Sequence, residues 1–128
     1  MKDSYFDRFA AMKPSQIPLG YYTHLNFAFA YIDPDSFQMA PMSSDVADLY
    51  QDVTFLKQSQ PDLKVWISIG GWAFNDDDQS TATTFSDLAA STSAQKEFFA
   101  SLITFLTTNR FDGVDIDWYD SSRIPHTM

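Results

Sequence analysis

The chain has 128 residues, 45% hydrophobic and 20% charged, which fits one globular domain and excludes a disordered polymer. Eight Lys and Arg against 17 Asp and Glu leave a net charge of -9, so the cationic ingredient of a nucleic-acid surface is missing. Without Cys there can be no disulfide, thiolate metal site or cysteine nucleophile; no run reaches the ~18 apolar residues of a membrane span, and Met1-Lys2-Asp3-Ser4-Tyr5 lacks the apolar core of a signal peptide.

Aromatic residues make up 16% of the chain, and rings at that density belong in a core or along a ligand cleft. The first predicted element is a strand over Tyr21 to Ile32, an almost unbroken apolar run that stops at the turn signal Asp33-Pro34-Asp35. A helix follows, capped by Ser44 or Asp45, with Val46, Leu49, Tyr50, Val53 and Leu56 on one face and its end before Pro61. The second strand, Leu63 to Ile69, is rich in β-branched residues and ends at Gly70-Gly71. A polar loop, Asn75 to Ser80, comes next.

Thr92 with Gln95 three residues on predicts a capping box, placing Glu97 in the first turn of a helix whose stripe is Phe98, Phe99, Leu102, Ile103 and Leu106. Asn109-Arg110 stops it, and the third strand runs from Phe111 to Trp118. The order is βαβαβ, so the fold class is α/β with a parallel sheet. Right-handed crossovers put both helices on one face, as in the wall of a barrel. A complete (β/α)8 barrel takes roughly 250 residues, so the chain would supply part of one. Such a piece has open edges, and the expectation is a molten, aggregating or obligately associated species.

The third strand carries the chemistry. Side chains alternate along a strand, so Asp115, Asp117 and Tyr119 share one face while Val114, Ile116 and Trp118 face the helices. Carboxylates two residues apart lie ~6.5 Å from each other and repel by about 2.5 kcal/mol at an effective dielectric near 20. Such pairs serve acid-base work more readily than stability. The blander alternative is a solvated acidic face on an edge strand, against which the apolar flanks argue. A magnesium site is a further alternative, but the cationic groups that accompany it in phosphoryl transfer are absent nearby, and no calcium-loop glycine follows. The expectation is no metal and no cofactor. At the end of strand two, Ser68-Ile69-Gly70-Gly71-Trp72 lies on the rim where parallel α/β sheets place their sites, although a paired glycine alone also fits an ordinary turn.

Jointly, Leu63 to Trp72 and Phe111 to Trp118 closely resemble the two signatures of family 18 glycoside hydrolases, the chitinases. Thr23 to Ala30 is similar to that family's second barrel strand in its fungal form. The resemblance implies a partial (β/α)8 barrel with strands two to four present. Residues 1–118 would be the N-terminal part of a chitinase-like catalytic domain and residues 119–128 an irregular tail unlike the family. It also implies substrate-assisted, retaining cleavage of β-1,4-linked N-acetylglucosamine polymers, an exception to the two-carboxylate scheme.

In the family pattern Asp-x-x-Asp-x-Asp-x-Glu, the first three acids fall on Asp112, Asp115 and Asp117. By resemblance Asp117 orients the substrate acetamido group and Asp115 shares a proton with it, with Asp112, Gly113, Ser68, Gly70 and Gly71 as motif support. Trp72 and Phe29 are the expected substrate-binding residues, and Trp72 and Phe74 the expected exposed stacking platforms. Tyr119 stands where the general-acid Glu belongs, and the chain's single Glu, Glu97, is elsewhere. A phenol, with an ordinary pKa of about 10, holds its proton too tightly to replace it, and Asp120 has the wrong parity. The family's first strand, due before Phe6 to Met12, is not recognisable either, so a truncated or degenerate copy, inactive by itself, is the expectation. The alternative is a non-catalytic chitin-binding protein on the same scaffold; an unrelated acidic metal-binding domain is a third reading. The implied partner is chitin or a chito-oligosaccharide, with neither nucleic acid nor membrane, and the implied location is extracellular.

Overall fold

The computed structural model describes residues 13–119. The segment Phe6 to Met12, Asp120 and the tail beyond it therefore lie outside the described residues. Strand β1 covers His24–Ile32, shorter at its start than the apolar run, and Tyr21 and Tyr22 are exposed. It ends where the sequence puts a turn: the Asp33 carboxylate accepts the amides of Asp35 and Ser36, each at 2.9 Å. The chain then doubles back as β2, Met39–Pro41, antiparallel to Ala30–Ile32. Three residues ending in Pro carry no strand periodicity, which is why the sequence does not announce this edge strand.

Helix α1, Ser44–Thr54, is capped one residue earlier than expected: Ser43 Oγ accepts the Val46 amide at 3.2 Å, so Ser44 is already helical. Asp45 lies in the first turn, where its charge meets the positive end of the helix. Tyr50 is the anchor of this helix, at 2% exposure. Its hydroxyl donates to the Phe29 carbonyl at 2.7 Å and accepts the Met42 amide at 3.2 Å, while Phe27, Phe105 and Phe111 stand edge-on to its ring. Burial pushes its phenol up to about 12. Tyr50→Phe leaves both main-chain groups without this partner, and we expect a loss of about 1–2 kcal/mol, read as a lower urea midpoint at unchanged slope.

Strand β3, Lys64–Gly70, lies parallel to β1 on one side and to β4, Gly113–Asp117, on the other, giving the order β2-β1-β3-β4. Two helices separate β3 from β4. The shorter, α2, spans Thr84–Ala90; its seven residues give too few turns for a periodic stripe to stand out. The longer, α3, spans Thr92–Asn109 and ends on Arg110 in the left-handed region, φ 61°. The capping box is not formed. Ser91, the one extended residue between the two helices, is the cap and accepts the Ala94 amide at 3.2 Å. Gln95 instead reaches back to the Leu88 and Ala89 carbonyls, closing the end of α2. Glu97 thereby moves into the second turn, and it lines a groove between α3 and β2.

Val65, Ile67 and Ile69 of β3 have no exposed surface. They pack against Tyr50 and Val53 of α1 and Phe98 and Leu102 of α3, with Val114 of β4 touching both groups, so the two crossovers cover the same face of the sheet. One expectation fails here. Phe74 is no exposed platform but a fully buried ring between Tyr31 and Phe85, with centroids at 5.0 and 5.2 Å. It sits in a 3₁₀ turn, Trp72–Asn75, whose period of three turns Trp72 outward and carries Phe74 into the core.

Candidate functional site

Residues that pair in register on parallel strands share a face, and the face away from the helices is built in rows. Asn26, Trp66 and Gly113 form one row; Ala28, Ser68 and Asp115 form the next; Gly70 and Asp117 lie at the carboxyl rim. Gly113 is explained by the first row, since a Cβ there would stand 2.6–2.9 Å from atoms of the Trp66 indole. The large ring occupies the base of the sheet and leaves the rim to the acids.

In the second row Ser68, only 5% exposed, donates its hydroxyl to Asp115 Oδ2 at 3.0 Å. This bond holds one oxygen of the carboxylate in place. Asp117 follows two residues on with its side chain exposed at the rim, and its carbonyl accepts the Gly71 amide at 3.0 Å. Asp115 and Asp117 are thus brought to one face with the serine beside them. Val114, Ile116 and Trp118 take the other face; Ile116 and Trp118 line an apolar groove with Phe85, Leu88 and Phe98.

Gly70 and Gly71 both require glycine, with φ of 105° and 92°. A Cβ on Gly70 would meet the Asp117 carbonyl at 2.6 Å, and one on Gly71 would meet the Phe29 ring at 2.9 Å. Phe29 is half-buried against that glycine, and Trp72, 44% exposed, stands at the same end of the sheet.

Asp112 belongs to the opposite end. Its carboxylate accepts the Val65 amide at 2.9 Å and the Lys57 ammonium at 3.2 Å, and its own amide donates to the Val65 carbonyl at 2.8 Å. Partial burial works to raise this carboxyl, but the Val65 amide and Lys57 outweigh it and hold the group below its ordinary value. Asp112 ties the entry of β4 to β3 and does not join the rim acids.

The sequence reading missed Asn75. This side chain, 7% exposed, accepts the Tyr119 amide at 3.2 Å and donates to the Ala82 carbonyl at 3.3 Å. It sits at the head of an acidic run that reads as plain loop, and no periodicity marks it out. Among the described residues, no three His, Asp or Glu side chains converge as metal ligands, and no helix is long and apolar enough to cross a membrane.

Residues 4–125 match the family described as Glycosyl hydrolases family 18. Mouse chitotriosidase-1 is 36% identical over 96 residues, which are 75% of this chain and 19% of that protein. Among solved structures, an immunomodulatory active chitinase from Trichuris suis aligns with TM-score 0.72 and 37% identity, over 84% of this chain and 27% of that one. Human YKL-39, described as a pseudo-chitinase with retained chitooligosaccharide binding properties, aligns at 0.69 and 31% identity with the same coverage. The chain spans about a fifth of the length of the curated relatives it matches, and its three parallel strands with helices on one face are a segment of their barrel. By sequence and by fold, this chain belongs to family 18 of the glycosyl hydrolases.

Proposed function

We propose that residues 1–118 are the N-terminal part of a chitinase-like (β/α)8 catalytic domain, followed by a divergent segment at 119–128. Its ligand is a β-1,4-linked N-acetylglucosamine polymer or oligomer. The observation that carries this reading is the Ser68 to Asp115 hydrogen bond, with Asp117 beside it on the open face at the carboxyl rim. In substrate-assisted hydrolysis the acetamido oxygen attacks the anomeric carbon, and a carboxylate must steady the acetamido nitrogen as positive charge develops there. We assign that role to Asp117. Asp115, held by Ser68, stands beside it on the same face.

The remaining step is protonation of the leaving oxygen, and residue 119 is where the proton donor belongs. Tyr119 lacks a carboxyl, so we assign this chain saccharide binding without turnover of its own. The same feature favours the second reading, a non-catalytic chitin-binding protein, to which exposed Trp72 would contribute its indole as a stacking surface. A polymer of this kind is met outside the cell, and we place the working protein there.

Incubation with insoluble chitin tests both parts. The full chain should be retained, Trp72→Ala should weaken retention roughly tenfold, equivalent to about 1.4 kcal/mol, and no soluble oligosaccharide should appear. Passage without retention would remove the binding role. Release of oligosaccharide by the purified chain would show that Tyr119 is no obstacle to turnover.

A further inference from the structure

Beyond Asp117 the pairing between β3 and β4 cannot continue by main chain alone, because β3 ends at the glycine pair and leaves as a 3₁₀ turn. Gly71 donates to the Asp117 carbonyl at 3.0 Å, and among the described residues that is the last main-chain bond between them. The next group of β4 needing a partner is the Tyr119 amide. The Asn75 side chain supplies it, its Oδ1 standing 3.2 Å away in the position a strand carbonyl would take. The carboxamide is itself held, since Nδ2 donates to Ala82 at 3.3 Å. Thr81 adds a second tie across the same loop by donating to the Phe74 carbonyl at 2.6 Å. Asn75 itself is 7% exposed, which limits the access of water to its carboxamide.

We propose that Asn75 is the positioning residue for site position 119: its carboxamide replaces the missing strand and fixes the main chain there, so that the side chain two residues beyond Asp117 projects toward the bound saccharide. This deepens the functional reading above and rests on it. A residue with a merely structural role would lower stability throughout the loop. A positioning residue changes what happens at 119 and leaves the Ser68–Asp115 row unaltered.

The full-length chain, labelled with ¹⁵N, separates the two. Asn75→Leu keeps the branched four-atom shape and removes both the acceptor and the donor; Asn75→Asp keeps the acceptor for Tyr119 and gives up only the donor to the Ala82 carbonyl. Relative to the Asp115 amide, protection of the Tyr119 amide from hydrogen exchange should fall roughly five- to tenfold in Asn75→Leu. In Asn75→Asp it should stay within about twofold of the parent. Equal Tyr119 protection in the parent and Asn75→Leu overturns the clamp. Addition of chitotriose should shift the signals of residues 115, 117 and 119 in the parent, and in Asn75→Leu only those of 115 and 117. If position 119 still responds in Asn75→Leu, the positioning role is overturned while the saccharide reading stands. If chitotriose shifts nothing in either protein, the saccharide reading falls and takes the positioning role with it, whatever the exchange rates say.

Discussion

Gly70→Ala should cost about 2–6 kcal/mol, a large share of the ~5–15 kcal/mol by which domains are stable. Two separate costs meet at this residue. Its φ of 105° lies in a region that residues with a Cβ rarely enter, which adds about 1–3 kcal/mol of strain. The new methyl would also stand 2.6 Å from the Asp117 carbonyl and 2.8 Å from the Phe85 ring, and such overpacking costs about 1–3 kcal/mol more. The Asp117 carbonyl can retreat only by straining its bond from Gly71, so relief comes at the expense of the pairing between β3 and β4. Gly20→Ala is the control, because Gly20 has φ 88° with nothing within 4 Å of the added carbon and suffers strain alone. Urea unfolding of both variants isolates the contact. A difference under about 1 kcal/mol would mean that the carbonyl and the Phe85 ring give way easily.

The glycine pair illustrates how far the sequence reads. Its position at the end of an apolar β-branched run is enough to place it on the carboxyl rim, and the Asp115 and Asp117 face follows from strand parity alone. Periodicity carries such information because main-chain geometry enforces it. It does not say that Gly70 is squeezed between a carbonyl and Phe85, nor that Gly71 lies under Phe29, because those contacts join segments tens of residues apart. The same limit explains Phe74. As a sequence, Trp72-Ala73-Phe74 offers two aromatics beside a rim, and only the 3₁₀ turn decides that one faces out and the other in.

Helix starts show a different limit. Ser43 and Ser91 each stand one residue ahead of the expected caps, in serine- and threonine-rich stretches where several side chains could accept an amide. At the second start the choice is made by α2, whose last turn leaves only Ser91 extended. Gln95 then serves the carbonyl end of α2 instead of its own cap. Local chemistry proposes the candidates, and the neighbouring helix selects among them. Asn75 lay beyond reach for a related reason: its value comes from an unpaired amide at 119 that exists only once β3 and β4 are in register.

Register itself is guarded at the other end of the site strands, and there pH becomes a probe. Lys57 Nζ donates to the Arg110 carbonyl and to both Asp112 carboxylate oxygens at 3.2 Å, while Asp112 exchanges two bonds with Val65 at 2.8 and 2.9 Å. This staple joins the turn after α1, the exit of α3, and the starts of β3 and β4. A slip of one residue would turn Asp115 away from Ser68 and toward the helices. Removing the carboxylate with Asp112→Ala should therefore cost about 2–3 kcal/mol, at the upper end for a charged hydrogen-bonding group because the Val65 amide loses its partner. The folded Asp112 pKa lies below the ordinary 3.8, so the unfolded chain takes up the proton more readily. The stabilisation is accordingly complete above the ordinary value and is lost as pH falls through the folded one. Urea midpoints followed from pH 6 downward should decline steeply below about pH 4 in the parent. Asp112→Asn, which can still accept from Val65 but has no proton to gain, should start lower and follow a shallower course. Parallel curves for the two proteins would assign the acid sensitivity to other carboxylates and leave Asp112 with its hydrogen bonds alone.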